Sequence, residues 1–339
     1  MTRVLVVHAR GGLGDVVLST PVLQALAQGV PAAEVTMLVR SAAAPLVEHN
    51  PYLQELIVVR EGEWDHGAPF RKWIGDVRRR RFDIGVVLWS KAPEAWLLRR
   101  AGIPVRVGQA GRLLYSFNYT HQVSIRSERG DVDSHWTDIQ LDYARRLGVS
   151  VDGCVPTLVV PLVPVELPAG PLIGFSVGKG LSLTPDRWPT ATFARLADRL
   201  AQAFQATVVL TGSPDEIDIA GAVARAMRQP HVNLAGQTTL SQLTTVMQRC
   251  DAYVCPDSGP MHMAAALGVP TVGIFAMRCE FPHRWRPFGS HTAVVRPAPV
   301  TCPIGCQKET CHAFPCYEAV SGDALVEAVR QVIRPQVRS

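Results

Sequence analysis

At 339 residues, 47% of them hydrophobic and 19% charged, the chain has the composition of a folded globular protein and length enough for two domains. The net charge of +5 is modest, but eleven basic and three acidic residues fall between positions 71 and 112, leaving the remainder slightly acidic. A local basic region suits an anionic partner met at one place and argues against general nucleic-acid binding. The apolar run at 4–7 is too short for a secretory signal, and the uncharged stretch 258–277 is broken by Pro260, Pro270 and three glycines. Neither reads as a leader or a membrane span. Eight cysteines in that context imply reduced thiols or a metal site rather than disulfides, and the expected compartment is the cytoplasm.

In chain order, β-branched runs predict strands at 4–7, 35–39, 56–59 and 84–88, then at 172–175, 208–211, 252–255 and 271–275. Several are apolar throughout, the pattern of parallel strands covered on both faces. Helical periodicity falls between them at 22–28, 70–81, 136–147, 192–204, 217–227, 240–248 and 261–267, which sets a βα rhythm. The rhythm breaks over 152–171, where five prolines and no helical period predict a stiff connector. The expected organisation is α/β: two doubly wound, Rossmann-like domains facing across a cleft. They cover 1–155 and 172–339, joined by a proline-rich linker at 156–171. The second ends in a cysteine-rich segment and a terminal helix.

Three segments carry chemistry. Gly11, Gly12 and Gly14, followed by Asp15, come directly after the first strand, where glycines permit a tight turn and a helix start offers N–H groups to an anion. The dinucleotide-binding fingerprint is incomplete, because Val17 occupies its third glycine position and no acid ends the second strand. Asp15 on its own is an ordinary first-turn helix acid. Gly178-Lys179-Gly180 resembles a phosphate loop one residue short, so Lys179 is either a phosphate contact or a solvated loop lysine. The third segment runs Cys255-Pro256-Asp257-Ser258-Gly259-Pro260-Met261-His262 and then Ala264-Ala265-Ala266. It predicts a strand end, a helix with proline in its first turn, and backbone N–H groups at Ser258 and Gly259 able to cradle a diphosphate. The bland alternative makes Asp257 or Ser258 an N-cap and His262 an ordinary helical histidine. Carboxylate, hydroxyl, glycine and imidazole together at a strand's C-terminal end favour a ligand site.

This segment, through Leu267-Gly268-Val269-Pro270, resembles the signature of the ADP-heptose:lipopolysaccharide heptosyltransferases, a GT-B glycosyltransferase family. Gly14-Asp15-Val16-Val17-Leu18-Ser19-Thr20-Pro21 is similar to that family's N-terminal hallmark. Arg81-Phe82-Asp83-Ile84, Asp186-Arg187-Trp188-Pro189 and Thr211-Gly212-Ser213-Pro214-Asp215-Glu216 follow in family order, so the resemblance covers nearly the whole chain. It implies an inverting, metal-independent transferase with an acceptor-binding N-domain and a nucleotide-sugar-binding C-domain. Asp15 would match the general base; Ser258, Gly259 and His262 the diphosphate contacts; and Asp257 the residue orienting that loop or the sugar. Glu216 or Asp215 would match the acid near the nucleotide ribose. The resemblance departs at Asp186, where the family carries a lysine. Arg187 or Lys179 is then expected to supply the leaving-group charge.

Arg78-Arg79-Arg80-Arg81 suits a solvated helix end, while Arg99, Arg100, Arg106 and Arg112 are the candidates for recognising an anionic acceptor. The resemblance makes that acceptor a glycolipid or glycan, with peripheral membrane contact at the inner face. Asp131-Val132-Asp133 reads as a capping segment rather than a metal pair. Cys302, Cys306, Cys311 and Cys316 are dense enough for a structural zinc or iron ion, but lack paired knuckles, and the metal-free reading is preferred. Beyond the nucleotide-sugar donor no cofactor is expected. The alternatives are a transferase for another nucleotide sugar, a catalytically silent sugar-nucleotide binder, or a metal-dependent protein built on the late cysteines.

Overall fold

The computed structural model describes residues 1–60, 63, 68–89, 91–178, 184–185, 187–300, 306, 311 and 314–333. The chain divides into two compact units, Met1–Val160 and Pro161–Ser339. The first runs β1 (Thr2–His8), α1 (Leu13–Gly29), β2 (Ala33–Arg40), α2 (Ala44–Val47), β3 (Glu55–Val59), α3 (Ala68–Arg79), β4 (Ile84–Val87), α4 (Ala92–Ala101), β5 (Val105–Gln109), β6 (His121–Val123) and α5 (Trp136–Arg145). The second continues through β7 (Leu172–Ser176), α6 (Thr190–Phe204), β8 (Thr207–Thr211), α7 (Ile217–Ala226), β9 (His231–Asn233), α8 (Leu240–Arg249), β10 (Ala252–Pro256), α9 (Gly259–Ala266), β11 (Thr271–Ile274), α10 (Pro282–Trp285), β12 (Thr292–Val295), α11 (Pro315–Glu318) and α12 (Gly322–Val332).

Each unit holds a six-stranded sheet, in the orders β3-β2-β1-β4-β5-β6 and β12-β11-β10-β7-β8-β9. All ten strand pairings are parallel. Counted from its own first strand, the second unit repeats the order of the first. Both are therefore doubly wound, as the strand composition predicts. The central strands are fully apolar because helices cover both faces: Val4, Leu5, Val6 and Val7 are each 0% exposed. In each sheet the chain starts at a central strand, winds outward, then returns to wind the other way. The reversal lies between β1 and β4 and between β7 and β10, which leaves a crevice at the carboxyl ends of those pairs.

The strands that periodicity passes over are β5, β6, β9 and β12. Three are the short outermost or near-outermost strands of three or four residues, and β5 carries Arg106. They bury too few side chains to leave an apolar run. The helix expected at 22–28 in fact begins at Leu13 and passes through Pro21. Proline removes the N–H that would serve the Val17 carbonyl, a change that usually breaks a helix. Here the Thr20 hydroxyl donates to Val17 O at 2.8 Å and takes over that acceptor. The same Oγ1 accepts from Thr157 N at 2.9 Å, tying the start of the proline-rich segment to the first unit. Residues 154–168 form neither helix nor strand. Asp131 accepts from Asp133 N and Ser134 N, so Asp131-Val132-Asp133 is a turn ahead of α5. No helix among the described residues is long and apolar enough to cross a membrane.

Thr20→Val keeps the volume but uncovers a buried carbonyl and a backbone N–H. It is expected to cost about 2 kcal/mol, read as a lower urea midpoint with unchanged slope.

Candidate active site

In the first unit the carboxyl end of β1 leads into Gly11-Gly12 and the start of α1. Gly11 adopts φ +83°, and a Cβ there would lie 2.8 Å from Asp15 Oδ2, so the turn needs glycine for both conformation and space. Gly12 N donates to Asp15 Oδ2 at 2.7 Å. Burial pushes the Asp15 carboxyl above the usual carboxylate range, and the Gly12 N–H only partly offsets this. The result is a carboxylate held by one backbone bond and made more basic by its surroundings.

Two neighbours that sequence reasoning missed complete this end of the sheet. His8, the last residue of β1, is 2% exposed, and burial lowers its pKa to about 4. It is a neutral imidazole at physiological pH. Arg10 Nε donates to Glu94 Oε1 at 2.7 Å, with Glu94 only 1% exposed. The other Glu94 oxygen accepts from Lys91 N at 3.2 Å. This pair binds the loop after β1 to the start of α4, across the reversal point. No local motif announces Arg10, whose partner Glu94 lies 84 residues away on α4.

In the second unit three strand ends converge. Glu216 follows β8, is 6% exposed, and accepts from Ser213 N at 2.9 Å. A Cβ on Gly178, just after β7, would fall 1.8 Å from Glu216 Oε1, so the missing side chain there makes room for the carboxylate. After β10, Ser258 is the N-cap of α9 by backbone geometry, but its hydroxyl does not cap the helix. It turns back to Cys255 Sγ at 3.1 Å and Pro256 O at 3.2 Å. Gly259 and Pro260 fill the first helical positions, and His262 lies 5% exposed in the same turn. Burial raises the Cys255 thiol to about 12, so it is inert rather than nucleophilic. Asp257, Ser258, Gly259 and His262 are thus brought to the carboxyl end of β10, beside Glu216 and Gly178 from the neighbouring strands.

The remaining expected residues are dispersed. Arg187 donates to Cys311 O at 2.9 Å. Lys179 and Asp186 lie outside the described residues. Arg106 spends its guanidinium on the carbonyls of Asn118, Ile103 and Pro104. Arg99 lies over the Phe117 ring and Arg100 over Trp96. Arg112 pairs with Glu128 at the rim of a cavity of ≈ 330 Å³. Of the late cysteines, Cys302 lies outside the described residues, while Cys306 Sγ accepts from Cys279 N at 3.4 Å and Cys311 Sγ from Phe314 N at 3.3 Å. Cys279 therefore touches the late cysteine segment, although spacing alone did not include it. Cys316 is buried, its thiol pushed up to about 12. No group of three or more potential metal ligands comes together among the described residues.

Two doubly wound units, each with polar side chains gathered at its reversal point, match the GT-B architecture of glycosyltransferases. The comparisons agree. Residues 171–314 match the model of glycosyltransferase family 9 (heptosyltransferase). Lipopolysaccharide heptosyltransferase 2 of Escherichia coli strain K12 is 27% identical over 285 residues, covering 78% of this chain and 80% of the relative. The glycosyl transferase family 9 structure from Veillonella parvula superposes with a TM-score of 0.82 at 22% identity, covering 98% of this chain and 97% of that one. The E. coli heptosyltransferase WaaC with ADP-2-deoxy-2-fluoro heptose has a TM-score of 0.70 at 19% identity, over 97% of this chain and 99% of that one. The family 9 match covers most of the second unit, and the likeness to heptosyltransferases over most of the chain makes the protein a glycosyltransferase.

The buried His8 has a signature in stability. The folded protein keeps it neutral down to about pH 4, whereas the unfolded chain protonates it below about pH 6.5. Stability from this group is full above the unfolded value and declines as pH falls through that window, by roughly 3 kcal/mol in all. Urea midpoints measured at neutral pH and near pH 4 are expected to fall less for His8→Gln than for the parent protein. Asp15 contributes with the opposite sign, and equally in both.

Proposed function

We propose that the protein is an inverting transferase that moves heptose from an ADP-linked donor to an anionic acceptor of the lipopolysaccharide-core type. The names of the relatives support the sugar and the acceptor class, and the fluoro-heptose complex of WaaC supports the ADP linkage. Asp15 is the general base. It takes the proton from the acceptor hydroxyl while that oxygen bonds to the anomeric carbon, and the bond from that carbon to the diphosphate breaks, its electron pair leaving with ADP. The Ser258 and Gly259 backbone, the α9 N-terminus and His262 hold the diphosphate as its charge grows. Asp257 orients that loop or the sugar, and Glu216 serves the ribose hydroxyls. Arg187 and Lys179 supply further positive charge, so the chemistry as drawn calls for no cofactor beyond the donor. Such a displacement requires base and diphosphate cradle to meet at one sugar.

The acceptor belongs to the first unit. That unit carries Arg99, Arg100 and Arg112, and Leu113 and Leu114, which follow Arg112 in the chain, are 97% and 80% exposed. Cations and bare leucines suit peripheral contact with an anionic glycolipid surface at the inner face of the membrane. The observation that carries the reading is Asp15, a carboxylate made more basic by burial at the β1 reversal point of a chain whose second unit matches the family 9 model.

Asp15→Asn is expected to lower kcat by about 10²–10⁴-fold while ADP still raises the melting temperature as it does for the parent. Unchanged turnover would remove Asp15 from the mechanism. Only the ionised carboxylate accepts a proton, so kcat/KM of the parent should fall as pH drops through the raised Asp15 value. The residual activity of the variant should lack that limb. Dialysis against a chelator is expected to leave the parent rate unchanged.

A further inference from the structure

Ser258 stands at the start of α9 without doing what a serine there usually does. Its backbone is the extended one of an N-cap, φ −161° and ψ 170°, yet its hydroxyl makes no bond to the helix. Elsewhere the chain shows the ordinary arrangement. Thr239 accepts from Gln242 N at 3.2 Å ahead of α8, and Ser321 accepts from Ala324 N at 3.3 Å ahead of α12. In each case the hydroxyl oxygen takes the third helical N–H, the common role of serine or threonine at an N-cap. At α9 the second helical residue is Pro260, which has no N–H, so the one cap bond open to Ser258 Oγ is to Met261 N. Met261 N bonds the Ser258 carbonyl instead, at 3.1 Å.

The Ser258 hydroxyl is held by β10. It donates to Pro256 O at 3.2 Å and lies 3.1 Å from Cys255 Sγ. A hydroxyl has one proton to give. With that proton on Pro256 O, the bond to sulfur runs the other way, from the Cys255 S–H to Ser258 Oγ. The thiol is able to donate because burial keeps it protonated, with a pKa pushed up to about 12. Cys255 is 0% exposed, and Ser176, the last residue of β7, hydrogen-bonds the same sulfur from the neighbouring strand. The thiol is thus fixed from two sides. The N–H groups of Ser258 and Gly259, assigned above to the diphosphate, meet no acceptor among the described residues.

We propose that Cys255 is a positioning residue for donor binding: its S–H holds the Ser258 hydroxyl back against β10, so that the oxygen does not cap α9 and the first-turn N–H groups stay open for a diphosphate. Without the thiol the hydroxyl turns to Met261 N, and its oxygen competes with the phosphate oxygens for the few donors at the helix start. The assignment rests on the reading of this turn as the diphosphate cradle, and it explains why a serine placed to cap the helix leaves it uncapped. It also gives a use to a buried thiol that takes no part in the chemistry.

The test uses the full-length protein, with ADP and inorganic pyrophosphate as probes and titration calorimetry as the readout. Cys255→Ala should weaken both probes by about fivefold, the effect of one competing hydrogen bond. Cys255→Ser, which returns a donor to the same place, should bind both as the parent does. Starting from Ser258→Ala, the further change Cys255→Ala should alter ADP affinity by less than about twofold, because no hydroxyl remains to be released. Cys255→Val keeps the strand packed but cannot donate, and should repeat the alanine result where the smaller side chain unsettles the fold. A thiol that only packs the strand predicts the same loss of affinity with or without the Ser258 hydroxyl, and that result overturns the proposal. Parent-like binding by both Cys255→Ala and Cys255→Val overturns it as well. In both of those outcomes the parent still binds ADP and the donor reading stands. A parent protein that binds neither probe overturns the donor reading, and the role of Cys255 with it.

Discussion

The constraint on which the molecule depends is the reversal of winding in its two parallel sheets. A parallel strand must be followed by a crossover, and crossovers from neighbouring strands that leave toward opposite faces cannot close over the strand ends between them. The β1/β4 and β7/β10 pairs are where this happens. Elsewhere the central strands are covered by helices and bury mostly apolar side chains. The polar groups that the core rejects collect at these ends: His8, Asp15 and Glu94 in one unit, Glu216, Ser258 and His262 in the other. The architecture therefore selects where chemistry can be placed before any residue selects which chemistry it is.

Within that placement, the balance of burial against hydrogen bonding decides each group's character. Asp131 and Asp15 are both aspartates near helix starts. Asp131 sits at the surface, where the hydroxyl and N–H of Ser134 hold its carboxyl at about 2. Asp15 has one N–H, from Gly12, and loses enough water for desolvation to win, so its pKa moves the other way. The first is a structural anion and the second is fitted to exchange a proton. Cys255 shows the same physics with a different outcome: burial leaves a neutral thiol that contacts the Ser258 hydroxyl. The Thr20 hydroxyl beside Pro21 is a further case, in which one side chain replaces a hydrogen bond the backbone cannot make.

Much of this was legible in the chain. Long central strands and amphipathic helices show themselves by period, because their burial is set locally by two faces or one. The glycine-rich turn before Asp15 and the Asp257–His262 turn are visible because tight turns and helix starts restrict residue types within a few positions. The outer strands β6, β9 and β12 were not legible, since short strands with one neighbour leave no run to detect. Nor was α1 legible through Pro21, where a local rule against proline is overridden by a threonine one residue away. Cys279 was missed for the opposite reason, lying too far from the late cysteines for spacing to include it.

The amino-acid sequence by itself determined the fold class, the alternation of strands and helices, and which two turns could hold an anion or a base. It did so because backbone preferences and hydrophobic period act over at most a few turns of chain. Only the tertiary structure decided which of the four arginines stands at a cavity, that Glu94 staples the loop of Arg10, and that Ser176 reaches the Cys255 sulfur. Those facts depend on contacts between residues tens of positions apart, and strand order, which brings them together, has no local signature.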